Sequence, residues 1–190
     1  MHSNLFRRAF ADSLPILAGY TTMGFAAGVV IAAQSGLSFA PVWSALTAFS
    51  CFSGTQQFAI AGLFRDHAAL FDAALLTFAI SFRYAFYGFS LIGRWRDFPL
   101  LAKLYLICCL TDENFALEVS CDIKDERAYR KYCLVLVSLT LFYWLAGCTL
   151  GALAGERLPI PDKGIEFVMA ALFIVILTDQ IRALLTGGSK

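Results

Sequence analysis

Charge is missing from a long part of this chain. From Ser13 to Phe64, 52 residues pass without one Asp, Glu, Lys, Arg or His. Histidine is scarce throughout: His2 and His67 are the only two, and both fall in predicted loops. No H-E-x-x-H, G-x-S-x-G or C-x-x-C occurs, and the six cysteines (51, 108, 109, 121, 133 and 148) form no Cys/His cluster. These absences remove the metal-ligand spacings and the nucleophile-with-base arrangements that an intramembrane enzyme needs. An aspartyl pair from Asp72 and Asp112 has no motif behind it. The cysteines read as small apolar packers in reduced form, and no cofactor is expected. The net charge is +1 and no basic stripe is present, which leaves no footprint for a nucleic-acid partner. Alternating strands of ~10 residues, the signature of a membrane barrel, are absent. Linkers and low-complexity stretches are missing too, so residues 1–190 are expected to form one membrane-embedded domain.

What is present is apolar. The chain is 59% hydrophobic and 15% charged, with 18 Phe. An average soluble domain carries about 25% charged residues. A soluble domain of this composition would have too little polar surface to cover itself. The fold class is therefore all-α: a polytopic transmembrane helical bundle in a lipid bilayer. Six apolar segments can be drawn, at roughly 13–33, 41–63, 68–92, 98–120, 132–155 and 165–185. Each is long enough for a ~30 Å hydrocarbon core at 1.5 Å per residue. Pro15, Pro41 and Pro99 sit near segment starts, where a missing N–H costs little. Arg7 and Arg8 precede a first segment too long for the ~7–15-residue core of a cleavable signal. It reads as a first span that also targets the chain.

If all six segments cross, nine Lys and Arg lie on the N-terminal side (7, 8, 65, 124, 127, 130, 131, 182, 190) and five on the other (94, 96, 103, 157, 163), with Arg83 left inside. Both termini are then expected to be cytoplasmic. The count changes if the second or fourth segment enters and leaves on the same side. The one charged run, "CDIKDERAYRK" at 121–131, reads as a solvated cytoplasmic loop or a helix extension.

Three places break the apolar pattern. One is Ser53, Gly54, Thr55, Gln56 and Gln57. The second is Arg83, with Asp72, Tyr84 and Tyr87 in the same segment. The third is Thr111, Asp112, Glu113 and Asn114. A charge at mid-bilayer costs about 2.5–3.5 kcal/mol on insertion scales. An ion pair gluing helices together is one reading. A binding or translocation site is the other, and the accompanying amides, hydroxyls and Gly favour it. "TQQFAI" at 55–60 also resembles "DENFAL" at 112–117, at an offset of 57 residues. Matched interruptions in two halves of a chain point to discontinuous helices around a midplane site. Free N–H groups at a half-helix start favour a carboxylate, and free C=O groups favour a cation. Two of the six segments, the second and fourth, are thus expected to be interrupted mid-membrane, near Gly54 and Thr111. Gln56, Gln57, Arg83, Asp112, Glu113 and Asn114 are expected to converge, with Thr55, Tyr84, Tyr87 and Thr111 nearby. Phe58, Phe82 and Phe115 are candidates for an apolar wall.

"LPILAGYTTMGFAAG", "FSGTQQFAIAGL", "FRYAFYGFSL", "LTDENFAL" and "GIEFVMAALFIVILTDQ" come in the order seen in the AzlC family, which the chain resembles over roughly residues 7 to 183. The resemblance implies the large subunit of a bacterial inner-membrane exporter of branched-chain or related hydrophobic amino acids. It implies a small AzlD-type membrane subunit as partner. No nucleotide-binding loop is present, so secondary transport is expected, with a proton or ion as the coupling species. Family sequences often continue with further apolar sequence where this chain ends in "TGGSK"; that part of the bundle is expected to be reduced or supplied by a partner. An Arg-His pair is commoner in the family at the position of Arg83-Tyr84, so a His-based proton step is not expected here. A passive channel and a non-transporting scaffold or sensor subunit stay open as alternatives.

Overall fold

The computed structural model describes residues 2–34, 39–65 and 69–157, together with Ile174 and Thr178. The sixth apolar segment, 165–185, otherwise lies outside the described residues. Among those described, all regular structure is helical. Among the described residues, three helices are long and apolar enough to cross a membrane: α1 (His2–Gln34), α4 (Leu70–Leu91) and α7 (Glu126–Arg157). Four shorter helices fill the intervals: α2 (Ala40–Cys51), α3 (Gly54–Arg65), α5 (Leu100–Cys108) and α6 (Asp112–Ser120).

α1 and α7 form the core, and they run parallel. Tyr132 donates to Asp12 at 2.8 Å, Ser13 and Tyr143 hydroxyls lie 3.1 Å apart, and Gly155 comes up against Val29 and Ala32. Residue numbers therefore rise together along both helices. Glycines make the close approach. Gly24 meets Gly147, Gly28 meets Cys148 and Ala152, Gly151 meets Phe25, and Gly155 meets Val29 and Ala32; the glycines stand in two small-x-x-x-small rows, a spacing that lets membrane helices meet backbone to backbone. A methyl group built on Gly24 would lie 3.2 Å from Cys148 N and Trp144 O. Pro15 departs from the expectation of a helix start. It lies well inside α1, where its missing N–H frees one turn's carbonyl and helices typically kink.

The second apolar segment does not run straight through. α2 begins where α7 ends: the Ala40 N–H donates to the Glu156 carboxylate at 2.8 Å. It descends antiparallel to α7, with Ser44 donating to the Cys148 carbonyl at 3.1 Å. It stops with Phe52 edge-on to Tyr20, ring centroids 6.1 Å apart. α3 then turns back. The Gln57 amide donates to Ser44 O at 3.2 Å and Thr47 Oγ1 at 3.0 Å. A continuous helix would separate residues 44 and 57 by roughly 20 Å along the axis. α4 returns past α3 and crosses the whole bundle.

The fourth segment doubles back from the other end. Phe98 packs on Tyr129 near the start of α7, and Tyr105 meets Ser138 further along it at 3.0 Å. α5 therefore rises to Tyr20, and α6 falls back to Asp122, which pairs with Arg8. Arg94 confirms the direction by donating to the Glu118 and Cys121 carbonyls at 2.6 and 2.8 Å. Six full crossings would put Arg94 opposite Arg8; the structure puts both at the end where α1 begins. Hydropathy registers only that a stretch is apolar, and a hairpin of two half-length helices is as apolar as one full crossing. In the charged run at 121–131, residues 121–125 carry no regular structure and Glu126 opens α7.

Candidate functional site

The two hairpin bends meet beside Tyr20. At the first, Phe52 adopts φ 37°, ψ 48°, a left-handed conformation that costs a non-Gly residue of order 1 kcal/mol or more. Burial of its ring holds it there. At the second, Thr111 is extended and its hydroxyl accepts from the Asn114 N–H at 3.3 Å, an N-cap for α6. α3 and α6 both start at this centre, and α2 and α5 both end there. Amide N–H groups and carbonyl groups are thus both turned toward the same region.

Side chains complete it. Arg83 on α4 forms an ion pair with Asp112 at 3.0 Å, the side chains being 36% and 43% exposed. Its guanidinium also donates to the Tyr84 hydroxyl at 3.3 Å and lies 5.1 Å from that ring's centroid. Tyr84 in turn donates to Ser53 at 3.3 Å. Tyr87 faces Asp112 and stacks on Phe115, centroids 4.4 Å apart. Tyr20 donates to the Glu113 carboxylate at 2.8 Å and lies 2.9 Å from Thr111 Oγ1. Gln56 donates to Thr77 at 3.1 Å and accepts from Ser81 at 3.5 Å.

The 57-residue offset reappears in these contacts. Tyr20 and Thr77 are one offset apart, and so are Gln56 and Glu113. Tyr20 on the first long helix holds Glu113 of the second hairpin, and Thr77 on the next long helix holds Gln56 of the first. The two units, α1 to α3 and α4 to α6, are related by inversion, since α1 and α4 run in opposite directions. Each hairpin is tied to a long helix at equivalent positions.

Arg83, Tyr84, Tyr87, Asp112 and Ser53 thus form one connected group, and Thr111 and Glu113, which flank Asp112 in sequence, share the Tyr20 hydroxyl. Gln57 and Asn114 are fully buried, and their bonds stay inside their own hairpins: Gln57 to α2, Asn114 to the Cys109 carbonyl at 3.2 Å. Their side-chain oxygens have no hydrogen-bond partner among the described residues. Thr55 sits half-buried in the first turn of α3. Of the suggested apolar wall, Phe58 is buried and Phe115 borders the site, but Phe82 is 53% exposed in an outward ladder with Phe78 and Phe86. Tyr20, Thr77 and Ser81 were not anticipated. The first two could have been found by carrying the 57-residue offset from the hairpins to the long helices.

A family model described as AzlC protein matches residues 15–158. The chain belongs to the AzlC family. A relative in Bacillus subtilis, the branched-chain amino acid transport protein AzlC, is 30% identical over 175 residues, covering 92% of this chain and 67% of that one. A membrane protein of Haemophilus influenzae is 34% identical over 184 residues, 94% of this chain and 74% of its own. The inner membrane protein YgaZ of Escherichia coli is 30% identical over 183 residues, 92% and 73% of the two chains. No solved structure matches. Within the AzlC family match fall all seven described helices in whole or part, including both bends and the Arg83–Asp112 pair.

Proposed function

We propose that this AzlC-family chain is the large subunit of a two-subunit secondary transporter that exports branched-chain or related hydrophobic amino acids across the bacterial inner membrane. One observation carries the reading: a half-exposed Arg83–Asp112 pair stands where two half-helix hairpins from opposite ends meet. An amino acid zwitterion can exchange partners with such a pair. Its carboxylate takes the Arg83 fork and the N-terminal ends of α3 and α6, and its ammonium takes Asp112. Tyr84 and Ser53 keep the guanidinium placed during the exchange. The links Tyr20–Glu113 and Thr77–Gln56 hold one hairpin each, so releasing one at a time opens the site to one end at a time. A carboxylate that loses its partner during this exchange is the candidate carrier of a coupling proton or ion.

In this reading the two hairpins are re-entrant and meet at mid-membrane. The end where α1 begins then gathers Arg7, Arg8, Arg94, Arg96, Lys103, Lys124, Arg127, Arg130 and Lys131, while Arg65 and Arg157 lie at the other among described residues. That asymmetry supports a cytoplasmic N-terminus more strongly than six crossings did. Glu113 is exposed at the level of the bends. Hydrocarbon there would cost about 2.5–3.5 kcal/mol, which supports a watered cavity or a small AzlD-type subunit on that face.

The test is counterflow of labelled Leu, Ile and Val in proteoliposomes, with and without the small subunit. Arg83→Gln and Asp112→Asn, each at normal membrane abundance, are expected to abolish counterflow. Wild-type rate and affinity in Arg83→Gln would end its assigned role. Uptake without counterflow would make the protein a channel, and neither uptake nor binding would make it a scaffold.

A further inference from the structure

A groove of about 580 Å³ opens between α4 and α5. Gly88, Phe89 and Ile92 line one wall, Ile107 and Leu110 the other. Tyr84 closes one end of it, and Arg96 and Lys103 stand at the opposite end. Tyr84 belongs to the central site, whereas Arg96 neighbours Phe98, whose ring packs on Tyr129 near the start of α7. The groove therefore runs from mid-depth to the end of the bundle where α1 begins. It is apolar along its length and cationic at its mouth.

The mouth has two cations to offer. Arg94, close in sequence, is engaged with the Glu118 and Cys121 carbonyls and lies 4.0 Å over the Tyr129 ring. Arg96 is exposed, and Lys103 donates one of its three protons to the Arg96 carbonyl at 2.7 Å, which fixes the ammonium beside it. Asp97 is the neighbouring carboxylate, and it too is exposed. The floor is open at Gly88, where an added Cβ would meet nothing within 4 Å among the described residues.

We propose that this groove binds one anionic phospholipid, its phosphate on Arg96 and Lys103 and an acyl chain along Gly88, Ile92 and Ile107. The depth matches: a groove from one end to the centre spans about 15 Å, half of a ~30 Å core and the reach of one leaflet's acyl chain. The volume is that of a pocket holding a single small ligand. Basic pockets between helices at a membrane surface recognise anionic headgroups. A free phosphate would satisfy the cations and leave the apolar walls bare. An apolar partner helix would cover the walls and leave the cations unmatched.

The experiment is lipid titration of the purified full chain in detergent, read by native mass spectrometry. Phosphatidylglycerol, phosphatidylcholine and inorganic phosphate are the probes. One phosphatidylglycerol is expected to stay bound at concentrations where the other two do not. Arg96→Gln with Lys103→Gln should weaken it about 30-fold, roughly 5-fold per cation. Arg96→Lys should retain binding, which separates lost charge from lost fold. Gly88→Phe should fill the floor and remove the lipid while the thermal midpoint in detergent is unchanged. Equal retention of phosphatidylcholine, an unaffected double Gln variant, or an unaffected Gly88→Phe would each overturn the assignment. Inorganic phosphate binding as tightly as the lipid would reduce the groove to an anion site.

Discussion

Replacing Tyr20 by Phe isolates one hydroxyl. The ring keeps its edge contacts with Phe52 and Trp144, centroids 6.1 and 5.6 Å away, so no cavity forms. What disappears is the bond to the Glu113 carboxylate at 2.8 Å and the contact with Thr111 at 2.9 Å. A bond to a charged group contributes about 1.5–3 kcal/mol and a neutral one about 1. Glu113 is exposed, so solvent replaces part of its loss, whereas Thr111 is buried and keeps its capping role toward Asn114. The expected destabilisation is about 1.5–2 kcal/mol, measured by equilibrium unfolding in mixed micelles. A double-mutant cycle with Glu113→Gln should assign about 1 kcal/mol of it to the pair. The cycle removes contributions that either change makes alone. A coupling energy of zero would refute the claim that α1 holds the second hairpin through this bond.

Gly147→Ala places a methyl 3.0 Å from the Tyr20 and Thr21 carbonyl oxygens and should cost about 1–3 kcal/mol, whereas Gly19→Ala meets nothing within 4 Å among the described residues and should gain about 0.5–1; opposite shifts in thermal midpoint are the check. Glu156→Gln weakens the carboxylate that receives the Ala40 N–H at the start of α2. A loss of about 0.5–1 kcal/mol is expected, with faster hydrogen exchange at that amide. Arg8 holds the Asp122 carboxyl below the usual range through their hydrogen bond. A depressed folded-state value means that this tie is present above about pH 4, the ordinary Asp value, and fades as pH falls below it. Proteolysis of the 121–125 loop should therefore accelerate below pH 4, and Arg8→Gln should remove that pH step.

Much of the architecture can be read from residues alone, and the reasons are specific. A charge-free run and 18 Phe leave only a helical membrane protein. The amides at 56 and 57 and the acids at 112 and 113 mark places where a backbone stops being self-sufficient, because such side chains have no use on an unbroken apolar helix. Path is another matter. Pro41 and Pro99 say where α2 and α5 begin, but nothing local to Ser53 or Thr111 says that the chain reverses. Reversal shows only in contacts such as Gln57 with Ser44, between residues of one segment. Tyr20 was silent because a lone tyrosine in an apolar run is ordinary. The glycine rows at 24/28 and 147/151/155 are legible in spacing alone. They say that two helices pack closely but name neither partner nor direction.

The glycine seam also sets a timetable for biogenesis. Gly28 lies against Cys148 and Ala152, about 120 residues further along the chain. At ~5–20 residues per second of synthesis, α1 has been in the bilayer for roughly 6–24 s before its partner exists. During that interval its small-residue face is covered by lipid or by an assembly factor, and both hairpins must wait at the membrane without the surface that α7 supplies. α7 thus closes the seam that α1 opens. A ribosome stalled before residue 126 would leave α1 open to crosslinking along Gly24 and Gly28, and release of α7 would end that accessibility within one step.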